Sequence, residues 1–254
     1  MDELKIAIDK TKSYAIKYGQ KLDNKQLFLR LISKKNFRFT EIKGKGIKKL
    51  SQNDWQNKFR KAKLFTEKYL IKMSGILMVG ITGSVAAEFA FNDEDIDLLI
   101  VTKKNELWWW RLYLRFFIWW HKIPHRKYEK KETANEFCFN LWLDEDNLAI
   151  PRQKRNLKNA ADLIMMKVIM EKNGTYDKFL KNNYWVNKYL ATGYEYRKKM
   201  KKSKFQKQNN SNRIKKIINK ILFRGQCWYM QAINKQKLNK GEINFGQAFF
   251  HKNS

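Results

Sequence analysis

Cysteine and proline are nearly missing from this 254-residue chain, two of each, and histidine occurs three times. Two cysteines, Cys138 and Cys227, cannot staple a disulfide scaffold, and three histidines with no cysteine cluster beside them leave no zinc pattern of the usual spacing. Acids are scarce too: 24 Asp or Glu stand against 54 Lys or Arg, a formal net charge of +30. A long apolar run is also lacking. The longest, Leu107–Trp120 (LWWWRLYLRFFIWW), falls short of the roughly 20 residues that span a bilayer and carries Arg111 and Arg115. Trp beside Arg is compatible with an interfacial helix, but burial tendencies favour a packed one with its aromatics in a core. The first twenty residues alternate charge with apolar side chains and contain no apolar leader segment, so the expected location is cytoplasmic. What the chain does have is core material. With 43% hydrophobic and 15% aromatic residues it is expected to fold despite a 31% charged fraction.

Residues 1–54 hold short amphipathic stretches, Leu27–Ile32 and Glu41–Leu50, and are expected to form a helical lead-in. Asn53 or Asp54 caps a helix through Trp55, Phe59, Ala62, Phe65 and Tyr69 that stops near Ser74–Gly75. The run ILMVGIT that follows is uncharged and suits a strand buried on both faces. Gly83–Ser84 break it, and Val85–Phe89 can make a turn or two of helix. Asp95–Val101 predicts a second strand, with Asp95, Asp97, Leu99 and Val101 on one face and Ile96, Leu98 and Ile100 on the other.

Leu107–Trp120 is then a helix ended by Pro124, with Arg111, Arg115 and Lys122 on its polar side. Phe137–Leu143 predicts a third strand that presents Phe137, Phe139, Leu141 and Leu143 on one face and Cys138, Asn140 and Trp142 on the other. Beyond Pro151, Leu157, Ala161, Ile164, Met165 and Val168 read as one helical stripe closed by Asn173–Gly174. Further helices are expected at Thr175–Leu190 and Ile214–Ile233. The expected fold is α/β (α+β): a small mixed sheet in a core over 55–150, the lead-in before it, and a basic helical region over 151–254.

The chemistry concentrates between Val79 and Leu98. A strand that ends in Gly83–Ser84 and enters a helix offers backbone N–H groups and a hydroxyl to a phosphate. Gly83 allows a close backbone approach. Asp95 and Asp97, two apart on a strand, put both carboxylates on one face, where crowded like charges favour a divalent cation, Mg²⁺ or Mn²⁺. Such a cation bridges triphosphate oxygens and assists an in-line displacement. Glu88, Asp93, Glu94, Asp95 and Asp97 crowd together in a chain that is otherwise strongly cationic, which strengthens the reading of a cation site.

These residues also carry a resemblance. Ile81-Thr82-Gly83-Ser84, ten intervening residues, and Asp95-Ile96-Asp97-Leu98 match the signature of the DNA polymerase beta-like nucleotidyltransferases, in which Gly-Ser after a hydrophobic strand is followed by Asp-x-Asp between hydrophobics. Within that superfamily the stretch Thr82–Arg111 is similar to the prokaryotic stand-alone nucleotidyltransferase-domain proteins, and the likeness runs from about Trp55 to Leu190. It implies an enzyme that moves a nucleoside monophosphate from an NTP to an acceptor hydroxyl with release of pyrophosphate. Gly83 and Ser84 would hold the nucleotide, and Asp95 and Asp97 the metal and the catalysis. The resemblance also implies a third acid on the next strand that serves as base. On FCFNLWL the inward polar residue is Asn140, which cannot take a proton. Asp144, at the strand end on Asn140's side by simple alternation, is the preferred third acid. If neither serves, the chain is a degenerate nucleic-acid or membrane-surface binding protein.

The histidines add little, because Pro124 breaks the helix that would align His121 with His125. From Tyr196 to Gly241 there are fifteen Lys or Arg and no acid. An amphipathic helix there can pack through Ile217, Ile221 and Leu222 while Lys215, Lys216, Lys220 and Arg224 stay exposed, a surface for nucleic acid over 196–241 or, less favoured, for an anionic membrane.

Overall fold

In a computed structural model the described residues are 3–47, 54–126, 135–200, 213–232 and 243–250. In chain order they form α1 (Glu3–Ile16), α2 (Asn24–Leu29), α3 (Phe39–Ile42), α4 (Asp54–Lys68), β1 (Ile76–Ile81), α5 (Gly83–Ala87), β2 (Ile96–Thr102) and α6 (Leu107–Trp120). There follow β3 (Phe137–Asp144), α7 (Leu157–Met165), β4 (Lys167–Glu171), α8 (Thr175–Asn182), α9 (Ala191–Met200), α10 (Arg213–Ala232) and β5 (Gln247–Phe249). The fold is mixed α/β, as the sequence pattern implies. The five strands make one sheet in the order β4-β1-β2-β3-β5, in which β2 and β3 run parallel and every other pair is antiparallel. A parallel neighbour for β2 needs a long crossover, and α6 supplies it.

Both faces of the sheet are covered. Met78, Leu99, Val101 and Leu143 pack against the N-terminal helices and α7–α9, while Val79, Ile81, Ile96, Leu98, Ile100 and Trp142 pack with α4, α5, α6 and α10. That is why β1 is buried at every position, and why Leu99 and Val101 are as buried as their neighbours: the face that starts with Asp97 becomes core within two residues.

Four expectations are corrected. KVIME is not the tail of a long helix. α7 stops at Met165, and Lys167–Glu171 instead pairs with the open edge of β1, where Val168 and Ile169 suit a pleated strand. The sheet therefore draws β4 and β5 from beyond residue 150. Thr175–Leu190 is broken after α8, because Asn183 is fully buried there. Its side chain donates to Leu148 O and Phe179 O and accepts from Ile150 N–H and the Trp185 indole, bonds an uninterrupted helix would not leave open. The simple alternation expected of the third strand fails, because the β2–β3 register shifts between the pairs Asp97/Cys138 and Leu99/Leu141. This bulge puts an extra residue into β3 and turns the rest of the strand over. Phe137 and Phe139 share the Trp142 side, and Leu141 and Leu143 lie on the other.

The fourth correction concerns α6. Its bounds are those expected, and Arg115 and Lys122 are exposed as expected, but Arg111 and most of the aromatics lie on the sides opposite to those expected. Arg111 points inward, buried against the Phe250 ring 4.4 Å away and bonded to Gln226, while most of the aromatics face out. The segments 201–212 and 233–242 of the basic region lie outside the described residues.

Candidate metal centre

The antiparallel pairing of β1 with β2 puts Ile81 opposite Leu98, so the end of β1 and the start of β2 lie side by side. Thr82 N–H donates to Asp97 O at 3.0 Å and fastens the turn to the strand. Gly83 follows with φ +64°, a left-handed conformation that L side chains rarely adopt. A Cβ at this position would collide with the Asp97 carboxylate. The Gly-Ser turn and the aspartate pair, separated in sequence, are thus in contact, and glycine is required by that contact. Ser84 is half-buried in the first turn of α5.

Asp95 precedes β2 rather than lying in it, is 5% exposed, and accepts from Arg126 Nη1 at 2.9 Å. Asp97 accepts from Asn140 Nδ2 at 2.6 Å. One oxygen of each aspartate and the Cys138 sulfur all lie within 4.8 Å of one another. Loss of solvation pushes the Asp97 carboxyl up to about 7, and the charges of Asp95 and of Asp162 on α7 add to the rise, while hydrogen bonds from Asn140 and Cys138 oppose it. Burial, reinforced by the carboxylates of Asp97 and Asp95, also pushes the Cys138 thiol up, so it remains protonated at neutral pH. A cation placed here would relieve repulsion the bare pair cannot.

Asn140 sits where the sequence places it, beside Asp97. Asp144 does not reach the pair. It lies opposite Thr102 at the far end of β3, a strand length of roughly 20 Å from Cys138, and the bulge at Asn140 puts it on the other face. Its carboxylate has separate work, accepting from Asn105 N–H at 2.5 Å and Asp146 N–H at 2.9 Å. Of the other acids in the cluster, Glu88 pairs with Lys167 at 2.6 Å and Glu94 turns back to Phe91 N–H.

Several participants are absent from the sequence reading. Lys58 is 1% exposed and donates to Asn92 O at 3.1 Å and to Glu94 O, which pins the loop that delivers Asp95. A signal for it exists, since Lys58 falls on the same α4 face as Trp55, Ala62 and Phe65 at spacings of three and four, where an apolar residue is expected. For Cys138 the signal is alternation, which puts it on Asn140's face, whereas Arg126 and Asp162 carry none, because their nearness to the pair depends on how distant segments pack.

No family model, curated protein or solved structure matches this chain. Its function must therefore be argued from the site.

Proposed function

We propose that the protein is a metal-dependent nucleotidyltransferase, and the observation that carries the proposal is the contact of the Gly83 turn with Asp97 beside Asp95. The donor set fits Mg²⁺ or Mn²⁺. Two carboxylates supply hard oxygens, Mg²⁺ commonly takes only one or two from protein and completes its shell with water and phosphate, and a protonated thiol is a poor ligand for it. Asp95 and Asp97 would hold the ion, which when bound would polarise phosphate oxygens of the NTP. Gly83 leaves room for a phosphate to approach the backbone, with Ser84 beside it as a hydroxyl donor. Arg126 holds Asp95 in place and balances part of its charge. The acceptor is a hydroxyl compound.

Asn140 favours a second reading, in which the site binds metal and nucleotide without efficient transfer. It lies beside Asp97 on the strand where the resemblance implies a base, and its amide donates a hydrogen bond there and cannot take a proton. The two readings separate in one experiment. Calorimetric titration of Mn²⁺ and of MgATP into the protein, and into D95N and D97N variants, tests the site itself. Incubation with labelled NTPs and total cellular RNA and protein tests transfer. Binding lost in both variants together with a labelled acceptor supports the transferase, binding without any labelled acceptor supports the second reading, and affinity unchanged in both variants rejects the metal site.

A further inference from the structure

Trp109, Leu112, Tyr113, Phe116, Trp119 and Trp120 recur along α6 at spacings of three and four, so they share one face, and all six are exposed, Trp119 and Trp120 at 67% each. The opposite stripe, Leu107, Trp108, Arg111, Leu114 and Ile118, is buried. Aromatic side chains exposed to this degree leave roughly 600 Å² of apolar surface open on one face, at the top of the range for the largest patch on a monomer.

The patch continues onto α10. The Arg115 guanidinium, on α6, sits over the Tyr229 ring at 5.9 Å and joins the two helices at their seam. α10 packs inward through Asn219 and Met230. On its far side Ile217, Ile221 and Trp228 are exposed, and beside them Arg213, Lys216, Lys220 and Arg224, also exposed and spaced by three and four, form a cationic row.

We propose that the outward faces of α6 and α10 dock on an anionic lipid bilayer, with the chain lying on the surface. No helix among the described residues is long and apolar enough to cross a membrane. An apolar stripe rich in Trp with a cationic row alongside matches the boundary between acyl chains and headgroups: the rings and isoleucines enter the boundary and the cations meet lipid phosphates. Two features favour lipid over a nucleic-acid strand. The exposed isoleucines of α10 offer a base nothing to stack on, and the rings of Phe116, Trp119 and Trp120 lean on one another, with centroids 5.7, 6.0 and 6.3 Å apart, as a continuous skin rather than separate platforms. A second copy of the chain fits less well, since it would bring another +30 charge and its own cationic row against this one. The docking face and the aspartate pair share no residue, and neither proposal depends on the other.

The test is co-sedimentation of the full chain with vesicles of phosphatidylcholine alone and with one third phosphatidylglycerol, following tryptophan emission. The wild type should bind the anionic vesicles with a blue shift and bind neutral ones far less. A W119A/W120A variant, and independently F116S, should weaken anionic binding at least tenfold with an unchanged thermal midpoint, and K216Q/K220Q/R224Q should do the same through loss of charge. Unchanged binding in both aromatic variants would make the association purely electrostatic and overturn the proposal. It is also overturned by absence of vesicle binding, whether W119A/W120A then abolishes capture of a single-stranded RNA oligonucleotide, which would make the stripe a stacking platform, or abolishes a concentration-dependent dimer.

Discussion

Replacing Asp97 with asparagine should make the metal-free protein more stable, and only above the acid range. The Asp97 carboxyl rises from its usual 3.8 to about 7 in the folded chain, mainly because it is desolvated and secondarily because Asp95 lies beside it. Between those two values the folded protein holds a proton that the unfolded chain has released. Raising the pH through this window therefore favours unfolding, and the stability lost is complete above about pH 7. A shift of this size corresponds to about 4 kcal/mol at most. Partial solvent access to the carboxylate reduces it, and we expect about 2 kcal/mol, or roughly 5 °C in thermal midpoint for a chain of this length. The introduced side chain keeps an oxygen for the Asn140 amide while its own NH₂ can face Asp95, so Asp97→Asn removes the charge and keeps the Asn140 bond. Thermal and urea unfolding in EDTA, at about pH 8 and about pH 4, measures the effect on both proteins. The variant should gain stability at the higher pH and almost none at the lower. Equal or lower stability of the variant at pH 8, or the same gain at both pH values, would refute the reasoning.

Two further outcomes follow from the same geometry. Asp144→Ala should cost about 2 kcal/mol, because it strands the N–H groups of Asn105 and Asp146 that donate to the carboxylate, yet it should leave Mn²⁺ affinity unchanged; urea denaturation and calorimetry check the two halves. Gly83→Ala should destabilise by more than about 2 kcal/mol, since it adds a left-handed residue and a clash with Asp97, and should abolish divalent binding in the same titration.

Much of the local structure is determined by sequence over short distances. The uncharged run Ile76–Ile81, the glycine that ends it and the bounds of α6 all follow from hydrophobic period and turn chemistry, which act between neighbours in the chain. Pairing decided the rest. KVIME has the composition of either a helix end or a strand, and the vacant edge of β1 made it a strand. The bulge in β3 is a property of two strands in register, not of FCFNLWL, and it moved Asp144 to the face opposite Asn140. Lys58 lies in an apolar stripe that the sequence marks for burial and Arg111 on a side it marks as polar, and only the tertiary structure supplies what makes each buried cation tolerable, the carbonyls of Asn92 and Glu94 for one and Gln226 with the Phe250 ring for the other. On α6 apolar residues surround almost the whole helix, so period alone cannot tell which side meets the sheet. Docking of the Leu107, Leu114 and Ile118 side on β2 and β3 chose it, and that choice left Trp109, Trp119 and Trp120 facing outward.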